Sequence, residues 1–146
     1  MLSAGCEYGI RAVLYLQSVG SDRPMPVAEI ARETNISPSF LAKIVQRLVA
    51  AGLLVTGKGP GGGVRLARSA TEITLLDVVR AIDGLEFKSR CVLGFPNCND
   101  EVPCPVHHHW GPLREEMADM FESSSLKEFA EKMTPEVKRR LHNPGD

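Results

Sequence analysis

The chain has 146 residues, 43% hydrophobic and 24% charged, which supplies one ordinary core and excludes a second full domain. No apolar run reaches the ~18–20 residues that cross a bilayer, because Glu7, Arg11 and Gln17 interrupt the best candidate at 4–19. The formal charge of -1 hides an asymmetry: residues 1–70 carry eight Lys/Arg against four Asp/Glu and residues 71–146 nine against fourteen, so a polyanionic partner would meet the first half.

At the N-terminus Ser3-Ala4-Gly5-Cys6 has the look of a lipidation box, but no basic leader and no apolar run precede it. No export is expected, and the expected location is cytoplasmic. Ile10, Val13, Leu14 and Gln17, flanked by Tyr8 and Leu16, follow helical spacing and predict a first helix over 4–19, closed by Gly20. After a loop at 21–25, Pro26 suits a first helical turn, and Val27, Ile30 and Ala31 give a short second helix one apolar face as far as Thr34. Asn35 tolerates the left-handed conformation of a tight turn. Ser37-Pro38 then reads as a hydroxyl N-cap followed by proline at the first position of a third helix reaching about Ala51.

On this third helix Leu41, Ile44, Val45 and Leu48 form the core stripe, leaving Ser39, Lys43, Gln46 and Arg47 outside. After Gly52 the period changes to that of strands. Leu53-Leu54-Val55-Thr56, a glycine-rich tip at 57–63 and Val64-Arg65-Leu66-Ala67 predict a hairpin. Thr74 with Asp77 resembles a capping box for a helix at 75–82, ended by Gly84. Residues 91–105, with Gly94 and three prolines, read as an ordered loop. Trp110, Leu113, Met117, Met120 and Phe121 recur at three and four and predict an amphipathic helix at 108–122, before a last short one at 126–133.

Two short helices joined by a tight turn and followed by a hairpin make a winged helix-turn-helix whose third helix enters a major groove by its N-terminal end. Ser37, Ser39 and the free N–H groups of that first turn can bond phosphates or base edges, and Phe40 offers apolar contact to a thymine methyl. Lys43, Gln46 and Arg47 extend the same face. The tip Gly57-Lys58-Gly59-Pro60-Gly61-Gly62-Gly63 presents Lys58 and the bare backbone of Gly59, with Arg65 outward on the returning strand, a wing suited to a phosphate backbone or a minor groove. Gly57, Gly59 and Gly62 also match Gly-x-Gly-x-x-Gly, but a dinucleotide fingerprint opens a helix and here a strand follows. The bland reading of the region is a winged helix used for protein contacts; the exposed polar helix face together with a basic wing favours double-stranded DNA.

Cys6 stands alone, whereas Cys91, Cys98 and Cys104 fall within fourteen residues on a loop. In a reducing compartment such a trio argues for a soft metal centre and against a disulfide framework. Three thiolates supply three of the usual four ligands. His107, three residues beyond Cys104, is the nearest candidate for the fourth, with Glu7 and Cys6 able to arrive through the fold or from a partner chain. Spacing alone does not separate an iron–sulfur cluster from zinc, although the lack of a Cys-x-x-Cys knuckle weakens zinc. A nucleophilic Cys104 activated by His107 has no orienting partner in the sequence, so no enzyme and no small-molecule substrate are expected.

Glu7-Tyr8-Gly9-Ile10-Arg11-Ala12, Ile30-Ala31, Ser37-Pro38-Ser39-Phe40-Leu41, Ala51-Gly52-Leu53-Leu54, Lys58-Gly59-Pro60-Gly61-Gly62-Gly63 and the three late cysteines resemble the IscR/NsrR family of bacterial winged-helix regulators, the Rrf-two type, over about residues 1–133. The resemblance implies a homodimeric transcription regulator, a repressor, whose 2Fe-2S or 4Fe-4S iron–sulfur cluster senses iron–sulfur or iron status, nitric oxide or redox stress and alters operator affinity. It carries three ligands onto Cys91, Cys98 and Cys104, and a fourth onto His107 in one branch of the family or, in another, onto Glu7 of the other subunit; His107 is preferred here. It makes the helix at 108–122 the dimerisation helix, with Trp110, Leu113, Met117, Met120 and Phe121 on its contact stripe. The expected fold is mainly α with a small β-hairpin. Residues 1–84 form the winged helix-turn-helix domain (wing 53–67), 85–107 the cluster loop, 108–133 the dimerisation helix and a short C-terminal helix, and 134–146 a flexible tail. The alternative is a winged-helix regulator with structural zinc or no metal that binds DNA or protein constitutively.

Overall fold

The computed structural model describes residues 2–20 and 23–142. Ser21 and Asp22 of the expected loop at 21–25, and residues 143–146 of the expected tail, lie outside the described residues, as does Met1. In chain order the elements are α1 (Ala4–Ser18), α2 (Val27–Thr34), α3 (Pro38–Ala50), β1 (Leu54–Thr56), β2 (Val64–Leu66), α4 (Leu75–Ile82), a 3-10 turn (Glu86–Lys88), α5 (His107–Glu122), α6 (Leu126–Glu131) and α7 (Pro135–His142). No helix among the described residues is long and apolar enough to cross a membrane.

Helix α1 packs against α2, α3, α4, α6 and α7, so it is enclosed on most sides. That enclosure explains why its buried set, Cys6, Gly9, Ala12, Val13, Tyr15 and Leu16, differs from the stripe expected from periodicity, in which Ile10, Leu14 and Gln17 are only half-buried. Gly9 is where α1 approaches closest: a Cβ there would collide with Ile82 and press on Ile44 at 3.3 Å. The Ser3 hydroxyl caps the helix on the Cys6 N–H (3.1 Å), and the Ser3 N–H donates to Asp83 Oδ2 (2.7 Å), which ties the start of α1 to the end of α4.

The turn between α2 and α3 is the one the sequence predicts. Asn35 sits at φ +51°, and the Ile36 N–H returns to the Ala31 carbonyl at 2.9 Å, satisfying the last carbonyls of α2. Leu41, Ile44, Val45 and Leu48 of α3 face the core, as expected. Strands β1 and β2 pair antiparallel, Leu54 opposite Leu66 and Thr56 opposite Val64, and Met25 bonds Val64 as a third, one-residue strand. A Cβ on Gly63 would land 2.5–2.9 Å from the Met25 backbone, so glycine is required for that approach. The capping box of Thr74 and Asp77 forms as predicted, and a second, Ser125 with Glu128, starts α6. The Leu126 N–H donates to the Ile73 carbonyl (2.7 Å), docking α6 beside the start of α4.

Two expectations need correction. The stripe of α5 does not face one way: Phe121 is buried and Met117 and Trp110 are half-buried, whereas Leu113 is 55% and Met120 50% exposed. Ala118 takes the buried position beside Phe121 instead, and Pro112 inside the helix removes one backbone donor. The tail expected to be flexible contains α7. Its start signal is Thr134-Pro135, with the Thr134 hydroxyl accepting the Val137 N–H at 3.2 Å and proline at the first helical position. Its anchor is Leu141, buried against α1 and α2.

Candidate nucleic-acid interface and metal centre

Helix α3 presents Ser37, Ser39, Phe40, Lys43, Gln46 and Arg47 to solvent on one face. Ser37 occupies the N-cap position without capping: its hydroxyl pairs with that of Ser39 at 3.1 Å, so neither covers the N–H groups of the first turn. Those donors stay directed outward, where the helix end favours an anion. Phe40 leans back edge-on to Tyr8, centroids 5.6 Å apart, which fixes its ring and leaves one side open. Arg47 is less available than its spacing suggests, because one guanidinium nitrogen donates to the Ile82 carbonyl at the end of α4 (3.0 Å). The other expected contacts, Lys58 and Gly59 at the wing tip and Arg65 on β2, are exposed. Arg68, which the sequence reading left out, lines a cleft at the base of the wing together with Arg65.

The cysteine loop converges. The sulfurs of Cys91, Cys98 and Cys104 lie within 4.8 Å of one another, and Cys91 Sγ is 3.6 Å from Cys104 Sγ. The Cys104 N–H donates to Cys98 Sγ (3.4 Å), and His107 Nδ1 is 3.1 Å from Cys98 Sγ. The far nitrogen of the ring, Nε2, is 3.1 Å from Asp100 Oδ1. Cys91 and Cys104 are buried, Cys98 and His107 half-buried. Burial pushes the Cys91 thiol up, yet the N–H groups of Phe95 and Leu93 and the thiols of Cys104 and Cys98 outweigh it and bring it down to about 7. For Cys98 the Cys104 N–H pulls downward, but burial and the other two thiols prevail and raise it above the ordinary thiol value.

Other residues hold this loop in place. The Asn99 side chain accepts the N–H groups of Glu101 and Val102 (3.0 and 2.9 Å), a local turn between the second and third cysteines. Trp110 Nε1 and an Arg114 guanidinium nitrogen both donate to the Arg90 carbonyl at 3.0 Å, pinning the residue before Cys91 to α5. Sequence reading missed Asp100, Trp110 and Arg114 in these roles; periodicity assigns Trp110 to an apolar stripe and carries no signal for a side chain that binds a distant carbonyl. A cleft lined by Leu2, Ser3, Asp83, Cys91, Trp110 and Met117 lies between this loop and the start of α1.

Of the other expected ligands, Cys6 is fully buried on the core side of α1, its thiol pushed up to about 12 by burial and then by Asp83 and Glu7. Glu7 is exposed, and the thiol group contains no carboxylate from α1 of the same chain. A second trio, Asp100, His107 and His108, also brings donor atoms within 4.8 Å on the outer side of His107. In donor chemistry, three soft thiols and an imidazole suit both zinc and iron–sulfur centres. In spacing, the thiols crowd around one point.

Compared with known proteins, residues 2–132 match the Rrf2 family, described as iron-dependent transcriptional regulators. An HTH-type transcriptional regulator of Aquifex aeolicus is 32% identical over 125 residues, covering 84% of this chain and 86% of that protein. The regulator IscR of Photobacterium profundum is 32% identical over 128 residues, 88% of this chain and 74% of IscR. Among solved structures, CymR of B. subtilis, titled the global cysteine regulator of that organism, superposes with a TM-score of 0.78 over 92% of this chain and 98% of its own; at 22% identity that likeness speaks for the fold. Helix α7 falls beyond the family match.

Proposed function

The chain belongs to the Rrf2 family of transcriptional regulators, and from that premise we propose that it is a homodimeric repressor whose grip on its operator is set by the state of the cysteine loop. It is a DNA-binding regulator and not an enzyme. The observation that carries the proposal is the convergence of Cys91, Cys98 and Cys104 beside His107, on a loop whose root is bonded to α5 through Arg90.

The family implies an iron–sulfur cluster at this point, which would supply redox and nitric oxide reactivity; iron–sulfur supply, nitric oxide and redox state are the candidate signals. What the chain contributes is mechanical. With the thiols engaged, the loop is fixed on α5 through the Arg90 carbonyl, and α5 packs against α4. Asp83 links the start of α1 to α4, and Ile82 links α4 to Arg47 of the reading helix. A shift of the loop is thereby transmitted to α3, and to the separation of two α3 helices in a dimer, which must meet half-sites about 34 Å apart. The exposed Leu113 and Met120 on α5, with Val92, Leu93 and Phe95 of the loop, supply the apolar surface for the second copy. His107 is the proposed fourth donor, and Glu7 of a second copy is the competing one.

The test is selection of bound duplexes from a random pool with anaerobically purified protein, followed by affinity measurement on the selected duplex before and after removal of metal by chelation. A change in affinity of tenfold or more supports the proposal. Equal affinities would favour the constitutive regulator, in which the thiols serve structure alone.

A further inference from the structure

We infer that Tyr8 and Arg11 are the positioning residues for Phe40, and that the three together direct α3 to a thymine methyl group in the major groove. This rests on α3 as the reading helix, whatever the cysteine loop holds.

Phe40 is the third residue of α3, at the end of the helix that enters a groove first. It is 39% exposed, and its ring has no hydrogen-bonding group to offer a base. What a phenyl ring can distinguish is apolar surface, and thymine alone among the four bases carries a methyl group on its major-groove edge. A freely rotating side chain would lose that freedom on binding, and affinity with it. Phe40 is held in advance. Gly9 brings α1 so close to α3 that a Cβ on it would lie 3.3 Å from Ile44. One residue earlier, the half-buried Tyr8 meets Phe40 with 5.6 Å between ring centroids and 89° between planes. That is an edge-to-face geometry which aromatic pairs prefer.

Tyr8 is held in turn by Arg11, three residues on and on the same side of α1, whose guanidinium carbon lies 5.4 Å from the centre of the Tyr8 ring. The guanidinium is fixed from its other end, where one nitrogen donates to the Thr34 carbonyl and to the Leu141 carbonyl (3.2 Å). Arg11 Nε is buried without a hydrogen-bond partner among the described residues, a cost that the contact of the cation with the Tyr8 ring offsets in part. A line of contacts therefore runs from the C-terminal ends of α2 and α7 through Arg11 and Tyr8 to Phe40, and it ends at the exposed face of the reading helix.

The experiment uses the full chain and the duplex selected from a random pool. Each thymine of a half-site is replaced in turn by deoxyuridine, which keeps the base pair and removes the methyl group alone, and affinity is compared with that for the parent duplex. At one thymine the wild type should bind the uracil duplex about fourfold more weakly, the worth of one buried methyl group. Phe40→Ala should abolish that difference. Tyr8→Met, which keeps apolar bulk but has no ring, should lose most of it, Tyr8→Phe should retain it, and Arg11→Met should lose part of it.

Tyr8→Met and Arg11→Met variants that weaken both duplexes equally, with the methyl difference intact, would overturn the inference, because the two residues would then serve the fold alone. If Tyr8→Met does not fold, Arg11→Met decides between the same two outcomes. A loss in Tyr8→Phe as complete as in Tyr8→Met would overturn the role of the ring. A wild type indifferent to every uracil substitution, or a difference that survives Phe40→Ala, would overturn Phe40 as the methyl contact. Failure of the wild type to select any duplex would instead overturn α3 as the reading helix.

Discussion

At the residue scale, the four cysteines differ by their surroundings. Cys6 is sealed on the core side of α1 and its thiol raised to about 12, so it stays protonated at neutral pH, whereas Cys91, at about 7, is partly thiolate there. Alkylation of the metal-stripped native chain followed by mass mapping should label Cys91, Cys98 and Cys104 and spare Cys6 until the chain is unfolded. Because the native Cys6 holds its proton above the ordinary thiol value of 9.0, its burial costs no stability below that pH; the cost appears as pH rises beyond it and the unfolded thiol ionises. Gly9 is the other residue set by its neighbours. Gly9→Ala forces a methyl into Ile82 and should destabilise by about 1–3 kcal/mol in denaturant titration, an overpacking cost. Of the expected DNA contacts, the exposure of Lys43 and Gln46 was legible from helical spacing, but the tether of Arg47 to Ile82 was not, since it depends on α4 arriving from 35 residues away.

At the element scale, α7 is held by contacts no local pattern announces. The Arg11 guanidinium donates to the carbonyls of Thr34 and Leu141, joining the C-terminal ends of α2 and α7, where a cation is favoured. His142 packs edge-on to Tyr15 and lies 3.4 Å from Glu33. Ending the chain after Met133 should cost on the order of 2 kcal/mol through lost burial of Leu141, and hydrogen exchange should rise across α2 and its turn. Arg11→Met should overlap with that truncation, the double variant losing less than the sum. The wing is tested separately: Lys58→Ala should lower the slope of log affinity against log salt by about one if its cation neutralises a phosphate.

At the scale of the whole molecule, α5 separates a buried side, Phe121 and Ala118, from an open side carrying Leu113 and Met120. An apolar surface of this kind beside the cysteine loop suits a second copy, and dimers let two reading helices act on one duplex. Met120→Glu should give monomers in sedimentation, keep the metal content of the wild type, and weaken duplex binding on the order of 100-fold through lost avidity. Loss of metal together with dimerisation would instead mean that the centre needs the partner, as it would if Glu7 of the second copy were a ligand.

The sequence by itself determined the helix-turn-helix, the wing and α4, and it marked the cysteine loop as a candidate site. Proline, glycine and asparagine at fixed offsets, the Thr74–Asp77 box and a change of period after Gly52 are local signals, and they specify the helix-turn-helix, the wing and α4 without reference to the rest of the chain. The residue types of the loop likewise mark it as a candidate soft metal centre. Tertiary structure decided what depends on distance between remote segments: the rotation of α1 among the helices around it, the division of the α5 stripe, the docking of α7 and the crowding of three sulfurs around one point. Spacing along a loop sets how far thiols can reach; where they meet is fixed by bonds from α5 and from the loop's own turns, which a one-dimensional pattern does not contain.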